Sequence, residues 1–395
     1  MRNRRNGRLE RPLCVCAALT ILFAWSTAAQ GQIVVKVSDD VNFRFGLLAQ
    51  GQGDWTQDAN SEGYSDNFFL RRLRFILLAN VAKNVSIFYQ TDNPRVGNAG
   101  TNGNKIVNTG FLTQDAFVEW KLAGDMLMFE GGLFYVPQSR NVLTSDATSL
   151  SFDTGTFGQQ QTTATQSNSG RDWGVGLKGY LAGDHLEYRA GVFDGQREGT
   201  TPQAAPLGPA AGSRNSYRVA ARIQYNFLDT EKAYTFAGTN RGARKILVVG
   251  AWGDTQGDYQ AFGADAMADI PIGKDAITAE VDYLSFDGGT QFLQVVGSTI
   301  TPLLPKEHCV FSHAGYYFDS VKLQPFLRYE RLDFSDDAFK SRNQERYGGG
   351  LNWYIFGQNL KLSLFYERVV PKVQPATAAI KDTNRFAVQL QAYFF

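Results

Sequence analysis

The chain is built from segments of about ten residues in which apolar and polar side chains alternate. Tyr217–Phe227 shows the pattern. Tyr217, Val219, Ala221, Ile223, Tyr225 and Phe227 fall on one face, and Arg218, Ala220, Arg222, Gln224 and Asn226 on the other. A period of two puts successive side chains on opposite faces of a strand. Leu360–Tyr366, Trp173–Gly179 and Val85–Tyr89 repeat it. Sixteen such segments predict sixteen strands: 41–50, 68–80, 84–92, 113–122, 126–135, 171–181, 184–194, 215–227, 244–254, 258–269, 275–287, 305–318, 322–334, 344–356, 359–370 and 384–395. Beyond residue 32 no run of eighteen apolar residues occurs, so no membrane-spanning helix is predicted.

The connections alternate in length. Ala123–Asp125, Ala182–Gly183, Phe318–Ser320 and Gly357–Gln358 are tight turns, and between them lie long polar stretches at 51–66, 93–112, 136–170, 195–214, 288–304 and 371–383. Short turns at one end and long loops at the other are the pattern of a transmembrane antiparallel β-barrel. Ten residues rising about 3.3 Å each and tilted by roughly 45° cover about 23 Å, close to the apolar band of such a barrel. Two connections disobey: 228–243 is too long for a turn and 255–257 too short for a loop. They leave the strand count open by two. A soluble sandwich or propeller also alternates. It gives no reason for a polar face rich in Gly and poor in charge, or for a last segment ending Gln391-Ala-Tyr-Phe-Phe395. A terminal strand ending on Phe is the assembly signature of outer-membrane barrels, and pairing with the first strand would leave no edge.

Residues 1–31 read as a secretory signal. Arg2, Arg4, Arg5, Arg8 and Arg11 precede the apolar run Leu13–Trp25, and small residues follow at Ser26–Ala29. The run is too short for a helix to span about 30 Å of hydrocarbon. The expected layout is a signal peptide at 1–31 and a barrel domain at 32–395, exported to the outer membrane of a Gram-negative-type bacterium. Removing the signal takes five Arg and Glu10, leaving 34 bases, 37 acids and a net charge of −3. That balance argues against nucleic acid as a partner. Cys14 and Cys16 leave with the peptide, so Cys309 has no disulfide partner within the chain.

A set of motifs then points to a family. Arg71-Arg72-Leu-Arg74 opens a strand, and Val81–Asp92 follows. Gly131–Pro137, Leu143–Phe152, Gly170–Gly176, Tyr188–Gly195, Leu323–Tyr329 and Gly349–Tyr354 come in order after it. Together they resemble the phosphate-selective porin O and P family, from about residue 40 to the end. The resemblance implies a sixteen-stranded, trimeric outer-membrane porin with an Arg-lined lumen, an inward-folded constriction loop and a role in anion or phosphate uptake. The longest connection, 136–170, follows the fifth strand, where the family places that loop. So long a stretch without helical or strand period is uncommon unless functional.

The candidate chemistry is charge in the lumen. With apolar residues outward, Arg72, Arg74, Lys121, Lys178, Arg189, Arg218, Arg222, Lys322, Arg328, Arg346, Lys361 and Arg385 point inward. So do Asp92, Asp115, Glu119, Glu187, Glu330 and Glu367. On this count cations outnumber acids about two to one, and rings of Arg or Lys favour anions in a pore. For any one residue, pairing with an opposite charge across the sheet is the simpler reading. The expected pore-lining, anion-attracting residues are Arg72, Arg74, Arg140, Lys178, Arg189, Arg218, Arg222, Arg328 and Arg346. Residues 136–170 hold only one base, Arg140, beside Asp146 and Asp153, and Gln159–Thr163 form the tip. A tight phosphate site needs several converging cationic donors. The expectation is therefore weak anion preference without such a site.

No metal or cofactor is expected. His308 and His313 are five apart on one strand and face opposite sides, and His185 lies at a turn. Asn98–Asn104 reads as a flexible loop rather than a Ca²⁺ site. Two rivals to a solute channel are a non-conducting barrel with a structural or surface-binding role and an outer-membrane barrel enzyme. The His positions disfavour the enzyme. The expected partners are small solutes or anions in transit, outer-membrane lipid and, through outward Trp173, Trp353 and Tyr366, two further copies in a homotrimer.

Overall fold

A computed structural model describes residues 33–395 except 62, 95, 99–104, 106–109, 159–168, 197–215, 290–291, 297–298, 303 and 374–380. The expected signal segment, the Gln159–Thr163 tip and most of Asn98–Asn104 lie outside the described residues.

Sixteen strands form one antiparallel sheet closed on itself. They are β2 (Asn42–Gln57), β3 (Tyr64–Ala82), β4 (Val85–Asp92), β5 (Leu112–Lys121), β6 (Met128–Tyr135), β7 (Arg171–Leu181), β8 (Leu186–Phe193), β9 (Arg218–Asn226), β10 (Ile246–Gln256), β11 (Tyr259–Ile272), β12 (Asp275–Asp287), β15 (Glu307–Tyr317), β16 (Leu323–Phe334), β17 (Gln344–Gln358), β18 (Leu360–Pro371) and β19 (Thr383–Phe394). A short β1 (Ile33–Lys36) pairs with the start of β2, and β13 (Leu293–Val296) and β14 (Thr299–Pro302) make a separate hairpin. The barrel closes through β19 on β2, from Arg385 opposite Thr56 to Phe394 opposite Leu47. Closure gives every strand two partners, which backbone in hydrocarbon requires.

Burial is inverted relative to a soluble protein. On β9, Arg218, Ala220, Arg222, Gln224 and Asn226 are buried, while Val219, Ile223 and Tyr225 are exposed. The same phase puts Trp173, Phe262, Leu327 and Trp353 outside. The chain hides its polar face and shows its apolar one, the arrangement a bilayer selects.

Two differences from the sequence expectation have simple causes. The stretch 51–66 is largely strand, because β2 runs to Gln57 and β3 starts at Tyr64. Beyond the hydrocarbon both faces of a strand are wet, so alternation no longer marks it. The two disobedient connections are features of the fold and not errors of strand count. Gly257, at φ +61°, turns tightly between β10 and β11. The long connection 227–245 enters the barrel from the short-turn end.

Candidate functional site: the lumen and its constriction

The loop after β6 crosses the lumen. Leu143, Leu150, Phe152 and Phe157 are buried inside the barrel. Phe152 stacks on Phe365 of β18, with ring centroids 5.2 Å apart. The Arg328 side chain on β16 donates to the Asp153 carbonyl at 2.9 Å, and Asn352 on β17 donates to the Leu150 carbonyl at 2.7 Å. Glu330 accepts from the Thr156 amide at 2.8 Å. The loop is thus fixed to the wall formed by β16–β18.

The connection 227–245 meets it from the other end. Phe236 donates its amide to Leu143 O at 3.0 Å and accepts from the Ser145 amide at 2.9 Å. Arg140 makes a two-pronged pair with Glu231, at 2.8 and 2.9 Å. Its guanidinium lies 4.6 Å from the Phe236 ring centroid. Burial disfavours the Arg140 charge, yet the Glu231 carboxylate holds its pKa above the ordinary guanidinium value. Arg189 of β8 donates to the carbonyls of Ala233 and Tyr234. Gly238 passes so close to the loop that an added Cβ would lie 2.9 Å from Ser149 Cα and 3.0 Å from Leu150 N. This periplasmic-type connection acts as a latch beneath the constriction loop.

One half of the lumen is filled. Phe157 packs with Trp252, Tyr259, Leu284, Phe286 and Phe334. Arg218 pairs with Asp254 at 2.5 Å, and Arg222 with Asp265 at 2.5 Å. In the other half three cavities follow one another. A 400 Å³ cavity on the long-loop side and a 440 Å³ cavity on the short-turn side flank a narrow one of 70 Å³. The narrow cavity shares Arg71 and Thr154 with the first and Arg74, Tyr135, Asp146 and Arg171 with the second. A volume of this size holds only a few waters, so this is the constriction.

Four guanidiniums line it, those of Arg71, Arg72, Arg74 and Arg171, against the carboxylates of Asp92 and Asp146. Arg72 reaches Asp146 at 2.8 Å and Asp153 at 2.6 Å, and Arg74 reaches Asp146 at 2.7 Å and Asp92 at 3.0 Å. Arg71 pairs with Asp153 at 2.9 Å, and Arg171 with Asp115 at 3.1 Å. Burial alone would raise the pKa values of Asp146 and Asp153. The arginines facing them prevail and hold both below the ordinary carboxylate value.

A bulge explains why Arg71 was not among the expected lining residues. Gln50 pairs with Arg72 and Gly51 with Leu70, so Arg71 is the extra residue on β3. The bulge breaks the period of two and lets adjacent arginines reach the same loop. A second bulge on β5 skips Gln114, which joins Asp115 inside. Arg171 opens β7 at the foot of the constriction loop. Both arginines sit in motifs visible in the sequence, but alternation alone does not aim Arg71 inward.

Of the nine expected residues, Arg72, Arg74, Lys178, Arg328 and Arg346 line a described cavity. Lys178 faces Glu119 and Glu130, Arg328 bonds Glu330, and Arg346 bonds Glu367. Arg140, Arg189, Arg218 and Arg222 are buried against carboxylates and line none of the described cavities. Arg140 is therefore a fastener of the loop and not the base of the constriction. Lys322, expected inward, sits exposed in a turn beside Asp319. The expected surplus of cations also fails. Among the described residues, ten buried bases stand against fifteen buried acids. Asp254, Asp265, Asp269, Glu280 and Asp282 on β10–β12 supply much of the difference.

The histidines fall as their spacing predicts. His308 meets the exposed Tyr283 hydroxyl at 2.9 Å, and buried His313 lies 3.2 Å from Ser151 Oγ. No metal-binding cluster occurs among the described residues.

A closed sixteen-stranded barrel with an inward-folded loop and a waisted conduit is the architecture of an outer-membrane porin. The family model of the phosphate-selective porin O and P matches residues 318–394, the last four strands and the turn before them. The resemblance seen in the sequence is borne out there. No match was found among curated proteins. Among solved structures, the anion-selective porin from Comamonas acidovorans is 12% identical with a TM-score of 0.58, covering 90% of this chain and 100% of that one. OmpF of Salmonella typhi, in complex with daunomycin, is 14% identical with a TM-score of 0.56, covering 92% and 100%. The trimer form of OmpT, an outer membrane protein of Vibrio cholerae, is 13% identical with a TM-score of 0.53, covering 90% and 100%. At such identities the likeness is one of fold.

Proposed function

We propose that the protein is a passive channel that admits small hydrophilic solutes across the outer membrane, with a weak lean towards anions. The waisted conduit is the observation that carries this reading. Its narrowest part shows four guanidiniums to two carboxylates. Each of those arginines is already engaged by a carboxylate. A phosphate would have to compete with these partners, so the site disfavours tight phosphate binding. The anion-selective character of the Comamonas acidovorans porin, which shares the fold, agrees with the direction of the lean. The barrel works as a channel and not as an enzyme.

The chain assembles as a homotrimer through its outward aromatic face, as the trimer form of the Vibrio cholerae protein suggests. It reaches the membrane after removal of residues 1–31. Planar-bilayer recording of the purified protein tests the channel reading: stepwise conductance is expected, and a silent barrel would overturn it. Replacing Arg71 by Gln, which lines the narrow cavity and the long-loop cavity, should shift the reversal potential in a KCl gradient towards cations. No shift would remove the constriction arginines as the source of the preference.

A further inference from the structure

The 440 Å³ cavity on the short-turn side does not look like the vestibule of an indifferent water channel. Its size lies within the usual range of small-molecule sites. Its wall includes Leu48, Phe88, Phe117, Tyr234 and Phe395. The rings form a continuous panel, with centroids 4.7 Å apart for Phe117 and Tyr234, 5.2 Å for Phe88 and Tyr234, and 6.3 Å for Phe88 and Phe395. Phe88 belongs to the inward phase of β4, whose outward residues Ile87 and Tyr89 are exposed. A partly exposed phenylalanine on the wet side of a strand leaves apolar area in water, which an apolar ligand would cover.

The same cavity holds a cation of a different kind from the others. Arg74, Lys121, Arg171, Lys178 and Lys232 line it and all sit in ion pairs. Arg44 lines it too, and no ion pair joins it to an acid among the described residues. Its guanidinium lies 5.6 Å from the Phe395 ring centroid, so Phe395 bridges the charge and the Phe88 end of the panel. A guanidinium free of carboxylate partners among the described residues, beside an aromatic wall, suits a flat ring that carries one carboxylate. The ring packs edge-to-face or offset on the panel, and the carboxylate takes parallel bonds from the guanidinium.

We propose that this vestibule is a binding site for small aromatic monocarboxylates, which deepens the channel reading by naming a class of anion the conduit retains. Benzoate is the probe, with acetate and benzyl alcohol as the charge-only and ring-only comparisons. Added to the short-turn side of bilayers containing the full chain, benzoate should half-block the chloride current at about a tenfold lower concentration than either comparison, a step equal to about 1.4 kcal/mol. Arg44→Gln and Phe88→Ser should each raise the half-blocking concentration of benzoate about tenfold. Titration calorimetry of benzoate in detergent reads the same site without any current, so a silent channel that binds benzoate overturns the channel reading and leaves the site standing. Equal block or binding by benzoate and acetate overturns the site, as does benzoate block unchanged in both variants.

Discussion

At the scale of single residues, what decides this lumen is less which charges point inward than what each one meets there. Arg140 is the clearest case. It is the lone base of the constriction loop, yet it is fully buried and paired with Glu231 of the latch. Removing one partner of a buried pair leaves an uncompensated charge and typically costs about 3–5 kcal/mol. Glu231→Gln should therefore lower the unfolding temperature of the barrel in detergent clearly, whereas Gln for exposed Glu in general changes little. An unchanged melting curve would show that the latch carries no weight. Asp146 and Asp153 give a pH prediction at the same scale. Both have folded pKa values below the ordinary carboxylate value. A depressed pKa contributes stability that is present above the unfolded value, about 3.9 for Asp, and is lost as pH falls through the folded one. The attachment of the loop to Arg71, Arg72 and Arg74 should hold from neutral pH down to about 4, and single-channel conductance with it. A conductance step between about pH 6 and 5 would contradict that pairing.

At the scale of elements, the constriction loop is braced by a second connection arriving from the opposite end. The strands were legible in the sequence because lipid on one side and water on the other force a period of two. The end of each strand that rises beyond the bilayer was not, because both faces are wet there, as at Gly51–Gln57. The connection 228–243 was conspicuous for its length, but nothing in its composition states that it turns inward. Its fit depends on long-range partners: Phe236 on Leu143 and Ser145, Tyr234 on the Tyr135 amide, Arg189 on Ala233 and Tyr234. Bulges escape a periodic reading by their nature, so alternation does not place Arg71 at the narrowest point. The latch also offers a clean test. Gly238 lies against loop backbone, where a side chain has no flexible neighbour to displace. Gly238→Val should push residues 148–150 away, giving a larger and noisier single-channel current. Traces matching those of the unmodified protein would mean that the loop keeps its place without the latch.

At the scale of the whole molecule, the barrel is lopsided, and its electrostatics follow from that. Apolar packing and buried ion pairs occupy the half lined by β9–β12, so Arg218 and Arg222 meet carboxylates and not passing ions. Solutes meet the other half, where the constriction shows two more guanidiniums than carboxylates. Behind this lining, Asp153 and Asp115 balance Arg71, Arg72 and Arg171. The field that reaches a passing ion is therefore small and short in range. The Debye length is about 10 Å at 0.1 M salt and about 30 Å at 0.01 M, so dilution extends the field along the conduit. Reversal potentials should favour chloride modestly at high salt and more strongly as salt falls. Phosphate should gain little over chloride. To hold it, a guanidinium must release a carboxylate, and a net contribution of about 1.5–3 kcal/mol from one charged donor falls short of the about 4 kcal/mol that even millimolar affinity requires. Titrating phosphate against the single-channel chloride current should therefore give half-block only in the millimolar range or above. Half-block at micromolar phosphate would mean that several of these arginines leave their carboxylates together to take the ion, and the saturated constriction described here would not be the state that conducts.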